Sequence, residues 1–225
     1  MPATSDTHQR LRRYWDRHAH SYDRQMGFFD RTLFGESRSW VCDQATGDVL
    51  EVAIGTGLNL ARYPASVRLT GIEWSPAMLD IARRRADELG RAVDLTEGDA
   101  HALPYPDASF DTVVCTLSLC AIPDPDRAVA QMTRVLRPGG RLLLLDHVAG
   151  SSWPVRAVQR LLELITVPLG GEHFLRRPLH QVQAAGLTVE QQDRFTLGIV
   201  ERIAARKPDQ PAPPAAAVDT GPAGG

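Results

Sequence analysis

The run Val49-Leu50-Glu51-Val52-Ala53-Ile54-Gly55-Thr56-Gly57-Leu58-Asn59-Leu60 decides the fold. A short apolar segment enters a glycine-containing turn, and a helical pattern follows. A buried strand, a tight turn and a helix start together form a corner that can hold a phosphate or a sugar. Gly55 and Gly57 can adopt backbone conformations closed to other residues, and their missing side chains let a ligand come close. The spacing departs from the dinucleotide fingerprint, whose phosphate-binding role needs glycines at a tighter set of positions. Glu51 stands four residues before Gly55, and the turn closes as Gly-x-Gly-x-Asn with Asn59.

Outward from this corner, further strand patterns lie at 67–73, 92–95, 110–119 and 141–146, with helical patterns at 76–89 and 126–136 between them. The second strand ends in an acid, Glu73. Ser75 is a helix cap and Pro76 suits a first helical turn. The run Arg83-Arg84-Arg85 reads as a solvated helix face. Residues 110–119 are almost continuously apolar, as expected of a central parallel strand covered on both faces. Arg137-Pro138-Gly139-Gly140 reads as a stop and turn. Strands and helices therefore alternate at βαβ spacing from about 48 to 146, which predicts an α/β, doubly wound, mostly parallel sheet. Ligands of such sheets bind beyond the carboxyl ends of the strands near a topological switch, so Gly55, Glu73, Asp99 and Leu117 fall on one rim.

Residues 1–45 predict an N-terminal helical cap, with helices at about 11–20 and 28–45. Its aromatics, among them Tyr14, Trp15, Tyr22, Phe28 and Phe29, serve either to cover one edge of the domain or to close a lid over a small molecule. Beyond the sheet core, a helix at 153–167 is closed by Pro168, and Gly170-Gly171-Glu172-His173 forms a chemically furnished loop. The stretch of about 150–178 forms an insertion on the substrate side. A short helix at 178–185 and strands at 187–191 and 196–204 complete a core of 46–206. From 207 to 225 the chain is Pro, Ala and Gly without a periodic core pattern, which predicts a disordered tail.

Composition narrows the function classes. With 225 residues, 43% hydrophobic and 23% charged, the chain suits one soluble globular domain. A net charge of −2 provides no global basic field for nucleic acid or an anionic membrane, which leaves room only for a local patch. Cys42, Cys115 and Cys120 match free buried thiols better than a disulfide framework or a metal cluster, so no metal is expected. Neither a signal-peptide pattern nor a bilayer-spanning run is present, and a cytoplasmic protein without integral membrane association is expected. A Gly-x-Ser-x-Gly elbow and a Walker loop are both missing from the sequence.

In combination these motifs resemble the class I S-adenosylmethionine-dependent methyltransferases. Glu51-Val52-Ala53-Ile54-Gly55-Thr56-Gly57 matches their first motif, with Ala53 at the first glycine position, where a small side chain fits if the backbone does not need positive φ. Glu73, Gly98-Asp99-Ala100, Leu103-Pro104, Phe110-Asp111 and Arg134-Val135-Leu136-Arg137-Pro138-Gly139-Gly140 follow in the family's order. The chain is most similar to the small quinone, phospholipid N- and thiol-methyltransferase group. The resemblance implies a Rossmann-like domain of about seven strands that binds S-adenosyl-L-methionine and methylates a small apolar or amphipathic acceptor at O, N or S. It implies that Glu73 holds the ribose hydroxyls and that Asp99 and Ala100 meet the adenine, with Trp74, Met78 and Leu117 as apolar walls. Glu51, Ala53, Gly55, Gly57 and Asn59 shape the donor corner, while Tyr14 and Tyr22 close it from the cap. His147 and His173, with Glu172 to orient them, are the candidate bases.

Overall fold

The computed structural model describes residues 5–209. Seven strands form one sheet in the order β3-β2-β1-β4-β5-β7-β6. They are β1 (Asp48–Val52), β2 (Arg68–Glu73), β3 (Val93–Glu97), β4 (Phe110–Thr116), β5 (Leu136–His147), β6 (Thr188–Phe195) and β7 (Val200–Arg206). The first five run parallel, and β7 is antiparallel to both β5 and β6. The strand order reverses between β1 and β4, which is where a doubly wound sheet opens its ligand crevice.

The four leucines of β5 show how the sheet is held. Leu142 and Leu144 enter one apolar layer, beside Val129 and Met132 of helix α4 (Pro125–Val135), while Leu143 and Leu145 enter the other, beside Val41 of helix α2 (Ser37–Cys42). Successive side chains of a strand point to opposite faces, so a continuous apolar run feeds two cores at once. Helices α3 (Pro76–Leu89), α5 (Trp153–Gly170) and α6 (Pro178–Ala184) complete the set.

Several boundaries differ from the sequence expectation, each for a local reason. The two predicted N-terminal helices are replaced by one long helix α1 (Ser5–Phe29), a π-helical turn (Asp30–Phe34) and the short α2, with Gly35 at φ +52° breaking the path. The helix expected after the glycine turn is a single 3₁₀ turn (Leu60–Arg62). The end of β4 is Thr116, because Leu117 swings to φ +53° and leaves the sheet. The predicted turn at 137–140 is absorbed as a bulge at the start of β5, where pairing jumps from Leu136 opposite Phe110 to Arg141 opposite Thr112. Pro168 sits inside α5 rather than ending it; the backbone bond it removes belongs to Leu164, on an exposed face that stays solvated. Thr196, Leu197 and Gly198 all have positive φ, so 196–199 forms a hairpin turn and not the start of β7. At the other end Lys207 is tied down, its Nζ donating to the carbonyls of Thr133 and Leu136 at 2.7 Å each. The rest of the predicted tail, from residue 210, lies outside the described residues.

Candidate active site

The glycine turn rests on a buried polar base. Glu51 accepts from Asn59 Nδ2 at 2.6 Å and from the Tyr63 hydroxyl at 2.9 Å. Burial pushes its carboxyl up to about 7 against those hydrogen bonds. Asn59 Nδ2 also reaches Thr116 Oγ1 at 3.0 Å, and its Oδ1 accepts from Arg38 Nη1 at 3.1 Å. Arg38 is paired through Nε with Asp30 at 2.9 Å, while its Nη2 is buried without a partner among the described residues. Above this base the backbone crosses into the left-handed region at Ala53 (φ +56°), Gly55 (φ +60°) and Gly57 (φ +78°). The condition under which alanine would fit freely is therefore not met, and Ala53 carries strain that glycine would not.

Glu73 closes the corner from the next strand. Oε2 of its carboxylate accepts from the Gly55 N–H at 2.9 Å, and Oε1 from the Ser75 N–H at 2.8 Å. Burial raises its pKa, opposed by these backbone donors and that of Trp74. The hydroxyl of Ser75 caps α3 by accepting from Met78 N and in turn donates to Asp16 of α1 at 2.6 Å. A second tie holds α1 to the glycine turn: Asp23 accepts from Thr56 Oγ1 at 2.6 Å and pairs with Arg85.

Between the turn and the strand ends lies a cleft enclosing about 700 Å³, part of it open to solvent. Ala53, Gly55, Glu73, Trp74, Met78, Asp99, Ala100 and Leu117 line it, and so does Tyr22 of α1. An adjoining recess shares Tyr22, Ala53 and Gly55 and adds Arg38, Thr56, Asn59 and Thr116. Burial works against the charge of Asp99, but His101, whose Nδ1 lies 2.7 Å from Oδ1 and whose N–H donates at 2.9 Å, leaves its pKa lowered.

Not every predicted site residue reaches the cleft. Gly57 is a packing position: a Cβ there would stand 2.7 Å from Leu60 Cδ1. Glu51 lies beneath the turn, and Tyr14 stacks on His18 and packs against Gly170. Nor are His147, His173 and Glu172 joined by any hydrogen bond among the described residues. The His147 ring lies 4.6 Å from that of Phe174, and burial pushes its pKa down to about 4. Its Nδ1 is buried without a partner among the described residues, and with Cys120 and Asp146 it forms a compact cluster off the cleft. His173 is half-buried and donates its backbone N–H to Cys120 O at 2.9 Å. Glu172 faces the cap instead: burial raises its pKa, His18 opposes that, and its charge is felt by Tyr14 and Tyr22. Arg38, Asp16, His101 and the loop residues Ser118 and Ala121 escaped the sequence reading. Arg38 stood inside an apolar helical pattern, and nothing local marked its partner 21 residues away.

The cleft fits S-adenosylmethionine on two structural counts. A Cβ on Gly55 would meet only Met78 Sδ at 4.0 Å, so its backbone faces open space, and Arg38 leaves a buried donor unused at the end of the recess. Residues 50–144 match the methyltransferase domain family. Residues 50–144 form a class I S-adenosylmethionine-dependent methyltransferase domain. The chain is 40% identical over 126 residues to a phosphatidylethanolamine N-methyltransferase of Cereibacter sphaeroides, a match covering 55% of this chain and 62% of that protein. It is 43% identical over 116 residues to a demethylmenaquinone methyltransferase of Deinococcus radiodurans, covering 50% and 48%. The matches thus span less than two thirds of either relative. The crystal structure of an S-adenosylmethionine-dependent methyltransferase from Thermotoga maritima has the same fold, with a TM-score of 0.67 and 22% identity over 87% of this chain and 99% of that one. None of the described helices of this methyltransferase domain is long and apolar enough to cross a membrane.

Proposed function

We propose that this chain transfers a methyl group from S-adenosylmethionine to a small amphipathic acceptor. The observation that carries the proposal is the buried Glu73 carboxylate, pinned by the N–H groups of Gly55 and Ser75 on the wall of the cleft. Each of its oxygens has a further lone pair for a ribose hydroxyl. Asp99 and Ala100 would hold the adenine at one end, and Arg38 Nη2 would meet the carboxylate of the donor at the other. That arrangement sets the middle of the cleft, beside Tyr22 and Leu117, as the place of reaction.

The sulfonium donor supplies an activated methyl, which passes to the acceptor in a direct displacement and leaves a neutral thioether. The chain's own residues supply alignment and exclusion of water, the terms that dominate such a step. Trp15, Tyr22 and Trp74 wall the cleft with aromatic surface. Glu172, raised by burial above the usual carboxylate range and acting electrostatically on Tyr22 of the cleft wall, is the group we assign to take a proton from the acceptor. The acceptor class is supported by the names of the two relatives, since an amine-bearing phospholipid and a quinone are both amphipathic.

A single-turnover assay with methyl-labelled S-adenosylmethionine tests this, using phosphatidylethanolamine in detergent, a quinol and an alkyl thiol as acceptors. Labelled product is expected with at least one, slowed at least tenfold by Glu172→Gln and unchanged in His147→Ala when donor binding is intact. Donor binding without turnover on any of the three would overturn the proposed acceptor class.

A further inference from the structure

Helix α5 is amphipathic with its faces reversed. Gln159, Glu163 and Thr166 point inward and fasten neighbouring loops, while Arg156 and Arg160 stay exposed: Gln159 accepts from Gly150 N and donates to Val148 O, each at 2.8 Å, Glu163 accepts from Leu175 N at 2.8 Å, and Thr166 donates to Glu172 O at 2.9 Å. Its apolar residues point out. Trp153, Val158, Leu161, Leu164, Ile165 and Leu169 are between 54% and 74% exposed. Scattered exposed apolar residues are normal, but six on one helix face make a contiguous patch of the kind that marks a contact surface.

Helix α1 lies beside it. Gly170 at the end of α5 sits against the Tyr14 ring, and Gly171 against Leu11. At the other end, the exposed hairpin tip at Leu197 accepts from Ser151 N at 3.1 Å, and its neighbour Thr196 donates to Leu33 O at 3.1 Å, just past the end of α1. The outward side of α1 is basic: Arg10, Arg13, Arg17 and Arg24 recur at spacings of three, four and seven and are all exposed. Two of the helix's three acids, Asp16 and Asp23, are turned inward onto α3 and the glycine turn. A chain of net charge −2 thus gathers positive charge beside the exposed apolar face of α5.

We infer that α5 and the arginine stripe of α1 dock this protein on the surface of an anionic lipid bilayer, with the apolar face of α5 sunk into the headgroup boundary. An amphipathic helix with apolar residues on one side and cations nearby partitions into such an interface, and Trp153 suits that depth. Charge selects this occupant over a second copy of the chain: pairing two α5 faces about a two-fold axis would also bring two arginine stripes alongside one another. The placement also serves the cleft, since Gly171, the residue just past α5, lies against the Ala121 carbonyl, and Ala121 lines the cleft. Docking concerns a surface and stands whichever acceptor is methylated.

The test is flotation of the full chain with vesicles of phosphatidylcholine alone or mixed with phosphatidylglycerol. The wild type is expected to float with the mixed vesicles. Leu161→Ser/Leu164→Ser/Ile165→Ser, on exposed positions, is expected to lower partitioning by more than about 100-fold, and Leu164→Ser alone by about tenfold if the triple variant melts early. Arg13→Gln/Arg17→Gln is expected to lower it roughly 30-fold and to flatten its salt dependence. A wild type that stays with neither vesicle, or variants that float as it does, would overturn the inference. So would a wild-type dimer that the triple variant converts to monomer.

Discussion

Ala53 and Leu117 both line the cleft, at the ends of the paired strands β1 and β4, with φ of +56° and +53°, values that L-residues adopt at a cost. Both positions turn the chain out of the sheet at a strand end, Ala53 after β1 and Leu117 after β4. Strain concentrated there is typical of a backbone held for ligand binding. Ala53→Gly is accordingly expected to stabilise the protein by about 1 kcal/mol in chemical denaturation. A loss of stability, as for an ordinary alanine in a strand, would show that the turn is not strained. The alanine was visible in the sequence, but its φ was not, because only the path of the folded turn sets it. Glu73 was legible because an acid ending an apolar strand has few structural reasons to be there. Arg38 was not, because its use depends on the distant Asn59 and Thr116 meeting beneath the glycine turn.

Among elements, α1 does the most that periodicity alone could not reveal. Aromatic content suggested a cap, whereas the bonds that seat it are polar: Asp16 to Ser75, and Asp23 to Thr56 and Arg85. These ties join the cap to the two segments that shape the cleft, the glycine turn and the start of α3. Removing Asp23 with Asp23→Ala should raise amide hydrogen exchange several-fold over the second half of α1, measured by mass spectrometry, while leaving the central strands protected. Unchanged exchange in α1 would mean that apolar packing alone seats the cap. Helix α5 was legible as a helix but not in orientation, since the usual expectation sends the apolar face inward and here Gln159, Glu163 and Thr166 take that side.

Over the whole molecule, the sheet followed from the sequence because buried parallel strands need continuous apolar runs, and β1, β4 and β5 have them. What escaped was the burial of carboxyls beneath the rim. Glu51 and Asp146 are both pushed up to about 7 by burial, above their values in an unfolded chain. Between pH 4.5 and 7 the folded state therefore binds more protons than the unfolded state, and this contribution to stability is lost as pH rises through 7. Glu51→Gln should remove its share, so that the stability difference between wild type and variant shifts against the wild type by on the order of 2 kcal/mol from pH 5 to pH 8. Parallel pH profiles in denaturant unfolding would show that Glu51 does not titrate in this range.

The central claim is that the Gly55–Glu73 corner of this methyltransferase domain binds the methyl donor. Calorimetric titration with S-adenosylmethionine, alongside NAD and repeated on Glu73→Ala, tests it most directly. The account predicts saturable binding of S-adenosylmethionine to the wild type, at least tenfold weaker binding in the variant, and no binding of NAD. Folded wild type that binds NAD, or that does not bind S-adenosylmethionine, would contradict it.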